Sequence, residues 1–338
     1  MENEYMIQVS RLCKTYGTQS VLRDVSFSFS KKGIHGILGP RGAGKSTLMD
    51  LLAGCVSADN GEILLGGQRV APEQVGLRGR IGYVAELPDF YQKMTVLETL
   101  DFVGAARGGA TERRYRQIKE ALELTNLESV QNRLTARLTS AEKKRLSLAA
   151  ALLGNTEVVL FDEANTADLD LDIKNLIRML GKHKTVVLAS ADLALIRELC
   201  EDVVILFEGS VFAWDTVEGL EEKLSCNRIL HVSVEGDAEG CLSLLSEIDG
   251  VLSCTAVSSE KNTRKLSIRI EYAADSDAVT AAVEALRAHG GKIGAVKQEE
   301  MSLEKAYASL EALSADQSLS TRSEVFSIEE NGRKGTRR

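Results

Sequence analysis

The sequence reads as an α/β domain over residues 1–224 followed by a small α+β domain over residues 225–314. Three observations carry this. Residues 158–161, 185–189 and 203–207 are unbroken apolar runs of strand length, rich in β-branched side chains, as strands buried on both faces are. Helix-length stretches separate them, the alternation of an α/β sheet. Beyond Leu224 the pattern becomes strand, helix, strand, strand, helix, strand, the split βαβ order of ferredoxin-like domains.

From the start of the chain, residues 6–12 alternate apolar and polar, which marks a half-buried strand. Val25, Phe27 and Phe29 predict a second strand, and Lys31-Lys32-Gly33 leads into a third, apolar at Ile34, Ile37 and Leu38. Then comes Gly39-Pro40-Arg41-Gly42-Ala43-Gly44-Lys45-Ser46-Thr47, followed by an amphipathic run through Leu48, Met49, Leu51 and Leu52. Strand, glycine-rich turn and helix in that order is the context a phosphate-binding loop requires. Glycines let several backbone N–H groups converge on one anion, and the helix N-terminus adds partial positive charge. Lys45 is then expected at the β- and γ-phosphates and Ser46 at Mg²⁺. The chain is expected to bind a nucleoside triphosphate.

Residues 81–84 form a further short strand, and residues 95–154 read as mostly helical, with turns near Arg107-Gly108-Gly109 and Asn132. This helical insertion is bounded at about residues 87–154. Val158-Val159-Leu160-Phe161-Asp162-Glu163 delivers two carboxylates at the end of a buried strand, where ligands sit in open α/β sheets. Asp162 is expected to hold Mg²⁺ and Glu163 to act as general base on the attacking water. In the second domain the strands fall at 229–234, 251–257, 266–270 and 293–296, with helices at 239–248 and 277–289. A last helix spans 302–313. Residues 315–338, rich in Ser and charge, read as a disordered tail whose basic end is read first as a solvated terminus, with a contact to anionic lipid headgroups as the alternative.

Composition sets limits on function. The 338 residues are 44% hydrophobic, enough for a core in each domain, and the net charge of −8 argues against nucleic-acid binding. No apolar run approaches the roughly 18–20 residues of a spanning helix, so a membrane function needs a separate chain. Met1-Glu2-Asn3-Glu4 is acidic, unlike the start of a signal peptide. Six cysteines without CxxC spacing read as reduced thiols of a cytosolic protein.

With both phosphate-site elements in hand, the chain resembles the ATP-binding subunit of ABC transporters, over nearly its whole length. Lys14-Thr15-Tyr16-Gly17 looks like the family's aromatic loop, in which Tyr16 stacks on adenine; a core or surface aromatic is the alternative. Ile81-Gly82-Tyr83-Val84-Ala85-Glu86 sits where the family carries a glutamine loop. Leu138-Thr139-Ser140-Ala141-Glu142 occupies the place of the signature, which reaches the nucleotide on the opposite subunit. The C-terminal domain, closing in Met301-Ser302-Leu303-Glu304-Lys305-Ala306-Tyr307, is similar to the appendage of exporter-type subunits in the multidrug and antibiotic-resistance branch. The resemblance implies an ABC nucleotide-binding fold with a mixed sheet and helical subdomain. It implies ATP and Mg²⁺ as cofactors, a membrane permease subunit as partner, and a homodimer or heterodimer with another cassette. It also implies a peripheral place on the inner face of the membrane, with residues 87–94 as the permease contact.

The departures from that family bear on turnover. Glu86 replaces glutamine; a carboxylate is an acceptable Mg²⁺ ligand beside Ser46 and Asp162 but cannot donate a hydrogen bond as an amide does. Ala191 falls where a switch histidine belongs, and His183 stands in a polar turn that reads as exposed. The segment Ala164-Asn165-Thr166-Ala167-Asp168-Leu169-Asp170 is out of register with the family's D-loop. Ser140 and Ala141 replace signature glycines. Glu142 has two readings: a carboxylate facing phosphate, or the closing residue of a Thr139-x-x-Glu142 capping box. Either weakens the clamp, so slow hydrolysis is expected, and an alternative role is a poorly hydrolysing partner of an intact ATPase.

Overall fold

The computed structural model describes residues 5–70, 73, 75–86, 88–108, 110–164, 169–225, 227–235, 238–246, 248–260, 265–273, 278–288, 292–300 and 302–315. It divides into two compact units, Met1–Val217 and Glu218–Arg338. This boundary precedes the expected one at residue 224, because sheet pairing in the first unit ends at Thr216 and the following helix belongs to the second. The expected tail beyond residue 315 lies outside the described residues.

The first unit opens with strands β1 (Tyr5–Tyr16), β2 (Gln19–Ser30) and β3 (Gly33–Leu38), then helix α1 (Lys45–Leu52). Next come β4 (Asn60–Leu65), β5 (Gln68–Arg69), α2 (Val75–Arg78) and β6 (Ile81–Val84). The helical insertion holds α3 (Val96–Ala106), α4 (Thr111–Leu124) and α5 (Ser140–Leu152). The unit closes with β7 (Val158–Phe161), α6 (Leu171–Gly181), β8 (Thr185–Ser190), α7 (Leu193–Leu199), β9 (Asp202–Phe207) and β10 (Ser210–Thr216).

The expected mixed sheet is six-stranded, in the order β10-β9-β3-β8-β7-β6, parallel except for β9 with β10. Every residue of β3, β7 and β8 is buried, which accounts for their unbroken apolar runs. Sequence patterning did not separate a second, antiparallel sheet in the order β2-β1-β4-β5. In it Ile7 pairs with Leu65 and Val9 with Ile63. Its inner face (Ile7, Val9, Phe27, Phe29) joins Leu48, Met49 and Leu51 of α1 in one core. Helix α1 is therefore pressed between the two sheets, and the loop before it is fixed.

The helical insertion has its own core of Val96, Leu100, Ile118, Leu122, Leu146 and Ala149. Arg107, after α3, donates to Leu153 O at 2.8 Å, Thr156 Oγ1 at 3.1 Å and Ile81 O at 3.4 Å, tying the insertion to β6. At Gly82 a Cβ would lie 2.3 Å from Ala151 O, so α5 rests flush on β6 and only glycine fits.

Helix α8 (Val217–Ser225) begins at the last residue of the first unit; the second unit continues with β11 (Asn227–Glu235), α9 (Ala238–Ser246), β12 (Val251–Glu260), β13 (Lys265–Ala273), α10 (Ala278–Ala288), β14 (Lys292–Glu300) and α11 (Leu303–Ala315). Its four strands run antiparallel in the order β12-β13-β11-β14, the arrangement of a split βαβ domain. Leu230, Val232, Ile268, Ile270 and Tyr272 meet Leu245, Ala282 and Leu286 of the helices in its core.

Candidate nucleotide-binding site

Four segments meet at the carboxyl edge of the parallel sheet: those after β3, β6, β7 and β8. Gly39 follows β3 and donates its N–H to Ser190 O at 3.2 Å, at the end of β8. A Cβ at Gly39 would stand 2.4 Å from Leu206 O, so the loop lies directly on β9. Gly44 caps α1 in the left-handed region at φ 100°, and no side chain hydrogen-bonds that cap. The helix therefore begins with amides not occupied by a side-chain acceptor, as an anion site needs.

Lys45 is 2% exposed. Its Nζ donates to Gly39 O at 3.0 Å and Pro40 O at 3.1 Å, and pairs with Glu163 Oε1 at 3.1 Å. Two residues singled out from sequence, far apart in the chain, are thus joined. Glu163 sits in the left-handed region at φ 47°, and its carboxylate reaches Lys45 of the loop.

Asp162 lies beside it, 7% exposed. Burial, and less so the neighbouring Glu163 and Asp50, raise its pKa above the usual carboxylate value, opposed by the Tyr83 and Ser46 hydroxyls. Tyr83 Oη donates to Asp162 Oδ2 at 2.9 Å and stands 3.4 Å from Asp50 Oδ1. Asp162 Oδ1 is buried with no hydrogen-bond partner among the described residues. An orphaned, buried carboxylate oxygen next to the loop that carries Ser46 suits a hard cation. Among the described residues, no group of three or more His, Cys, Asp or Glu side chains stands ready to hold a metal alone.

Glu86 is exposed after β6, and its carboxylate makes no hydrogen bond or ion pair among the described residues. Its backbone is held instead: Lys144 of α5, 6% exposed, donates to Ala85 O at 3.0 Å and Glu86 O at 3.3 Å. At the start of α5, Thr139 and Glu142 form a reciprocal capping box. Glu142 Oε1 also pairs with Arg133 at 2.8 Å. The bond from the Thr139 backbone N–H holds the Glu142 pKa below its ordinary value. Of its two readings, the capping one describes this chain. Ala191 follows Ser190, whose buried hydroxyl donates to Ala164 O and accepts from Asp192 N at 2.9 Å. Tyr16 is 47% exposed with the Lys14 ammonium 5.2 Å from its ring centre, so it does not lie in the core. His183 is exposed, as expected. Residues 165–168, with Asp168, lie outside the described residues, while Asp170 caps α6 through Ile173 N at 2.9 Å.

Residues 22–166, from β2 to just beyond Glu163, match the family model described as ABC transporter. An uncharacterized ABC transporter ATP-binding protein, YxlF, of Bacillus subtilis (strain 168) is 30% identical over 241 residues, covering 70% of this chain and 79% of that protein. The chain belongs to the ABC transporter ATP-binding family. The linearmycin resistance ATP-binding protein LnrL of the same organism is 28% identical over 313 residues, 90% of this chain and 98% of that protein. Among solved structures, a dimeric ATP-binding cassette with ADP and Pi bound has a TM-score of 0.57 and 25% identity, covering 62% of this chain and 98% of that one. As a family member the protein is an ATP-binding subunit of an ABC transporter, with an ABC ATPase fold. Among the described residues no helix is long and apolar enough to cross a membrane.

Three residues at the ABC site were not singled out from sequence: Tyr83, Asp50 and Lys144. Tyr83 sits on a strand and Asp50 on a helix, each one polar group among apolar neighbours. A polar residue embedded in an apolar run was the available signal.

Proposed function

We propose that this chain binds Mg-ATP and drives or gates export through a separate membrane permease, working as a dimer of cassettes. The single observation that carries the reading is the convergence of Lys45, Asp162 and Glu163 on one edge, with Lys45 and Glu163 3.1 Å apart. In this reading the amides of Gly39–Thr47 and the Lys45 ammonium bind the phosphates, and Tyr16 stacks on adenine. Ser46 and Asp162 hold Mg²⁺, with Glu86 near it; the ion neutralises charge on the phosphates when bound. Glu163 takes the proton of the attacking water. The permease contact is assigned to the loop at residues 88–94 and to α3, where Tyr91 and Phe102 stand exposed, 5.8 Å apart edge to face. Export is favoured by LnrL, a resistance protein whose likeness covers both units.

A second reading is favoured by the α5 cap and by Ala191: an ATP-binding but poorly hydrolysing partner of an intact cassette. Glu142 is committed to its own helix terminus, and an alanine methyl cannot contact a γ-phosphate. Losing one well-placed donor to a transition state costs about 3–4 kcal/mol, a fall of several hundredfold in rate. Titration of the purified chain with Mg-ATP, followed by phosphate release and co-purification from membranes, tests both. Tight binding with a multi-span partner supports the proposal; brisk turnover by the chain alone rejects the second reading. Absence of any Mg-ATP binding rejects both.

A further inference from the structure

We propose that Tyr83 is a positioning residue for the metal of bound nucleotide: its hydroxyl holds Asp162 by Oδ2 and so presents Oδ1 to the cation. The inference rests on the reading above that Asp162 holds Mg²⁺. Tyr83 lies on β6, whose register with β7 pairs Tyr83 with Leu160 and Val84 with Phe161. Asp162 N then donates to Val84 O at 3.0 Å, so backbone and side chain of Asp162 are both anchored on β6.

A carboxylate has two equivalent oxygens and rotates about its last bond unless one is engaged. Here Oδ2 is engaged at 2.9 Å, while Oδ1 is buried without a partner among the described residues. Such an oxygen has lost its water, and apart from Tyr83 the side chain acting as donor toward this carboxylate is Ser46, itself the expected metal ligand, which makes a cation its natural partner. Groups that orient a ligand in this way tune metal affinity without touching the metal. A phenol has one proton. Asp162 at 2.9 Å and Asp50 at 3.4 Å both face it, and the shorter contact takes it.

A bland alternative is that Tyr83 only satisfies a buried carboxylate. Tyr83→Phe in the full chain separates the two, with a fluorescent ATP analogue titrated in EDTA and then against Mg²⁺. The proposal expects unchanged binding in EDTA and a rise of about 10- to 100-fold in the Mg²⁺ concentration giving half the metal enhancement. Asp50→Asn, which leaves the Tyr83–Asp162 bond in place, is expected to shift the Mg²⁺ curve by less than Tyr83→Phe does. Superimposable Mg²⁺ curves for Tyr83→Phe and wild type overturn the proposal. So does a loss of binding by Tyr83→Phe that is equal with and without metal, or an Asp50→Asn shift as large as that of Tyr83→Phe. If the wild-type protein itself shows no Mg²⁺ enhancement, the assignment of Asp162 to the metal fails instead.

Discussion

In the proposed site nucleotide has to displace Glu163 from Lys45, and the size of that competition can be worked out. The pair is 3.1 Å apart, with Lys45 2% exposed and Glu163 30% exposed. At an effective dielectric constant near 20, the gross attraction is about 5 kcal/mol. Most of it is not recoverable. Lys45 keeps Gly39 O and Pro40 O as acceptors, and the carboxylate is partly hydrated in the pair and fully hydrated once released. Exposed pairs are worth about 0.2–1 kcal/mol, and breaking fully buried ones costs about 3–5. A half-hydrated pair falls between, at about 1–2 kcal/mol. Glu163→Gln keeps the shape, tolerates the same backbone, and removes the charge. Metal-free ADP should therefore bind the variant about 5- to 30-fold more tightly than wild type. Displacement of a fluorescent ADP analogue in EDTA measures this, and since ADP is not hydrolysed, trapping of substrate cannot imitate the gain. Equal or weaker ADP affinity in Glu163→Gln would refute the competition.

Further outcomes follow from the same geometry. Glu142→Ala removes the α5 capping box and should cost under about 1 kcal/mol by urea unfolding at pH 7, given solvent screening. Glu142 has a native pKa below its unfolded 4.5, so its contribution is full above 4.5 and disappears as pH falls through the native value. The wild-type and variant stabilities should accordingly converge in acid; a gap that persists there contradicts the cap. Ala191→His restores a side chain beside Ser190, whose carbonyl already contacts the phosphate loop. Phosphate release should then rise by about tenfold or more, and no rise would show that Ala191 does not limit turnover. Arg107→Met removes a half-buried guanidinium bridging α3, α5 and β6. A loss of about 2 kcal/mol, or a Tm drop of roughly 4–8 °C by calorimetry, is expected.

The local features were readable because their physics is local. Thr139 and Glu142 are three residues apart, and a capping box needs nothing else. Gly39, Gly42 and Gly44 mark a backbone path that other residues resist, and the apolar run before Asp162 marks a strand buried on both faces. The β4 and β5 pairings were not readable, since strand order depends on which edges meet after collapse. Tyr83 illustrates the same limit. Its partner Asp162 is 79 positions away, and nothing in either neighbourhood names the other. Lys144 reads as one more surface cation in Lys143-Lys144-Arg145, yet it is buried against the carbonyls of Ala85 and Glu86.

By itself the sequence determined the phosphate-loop pattern, the carboxylate pair at the end of β7, the capping box as one of two readings at the start of α5, and the order of elements from β11 to α11, but not β4, β5 or β10. These follow from residue types at short spacings. Only the tertiary structure decided that Glu163 occupies Lys45, that Tyr83 takes one oxygen of Asp162, and that Lys144 holds the loop at Glu86. Each of those contacts joins elements brought together by the parallel β3-β8-β7-β6 order or by α5 lying on β6, and a side chain's partner across such a junction is set by packing rather than by its neighbours in the chain.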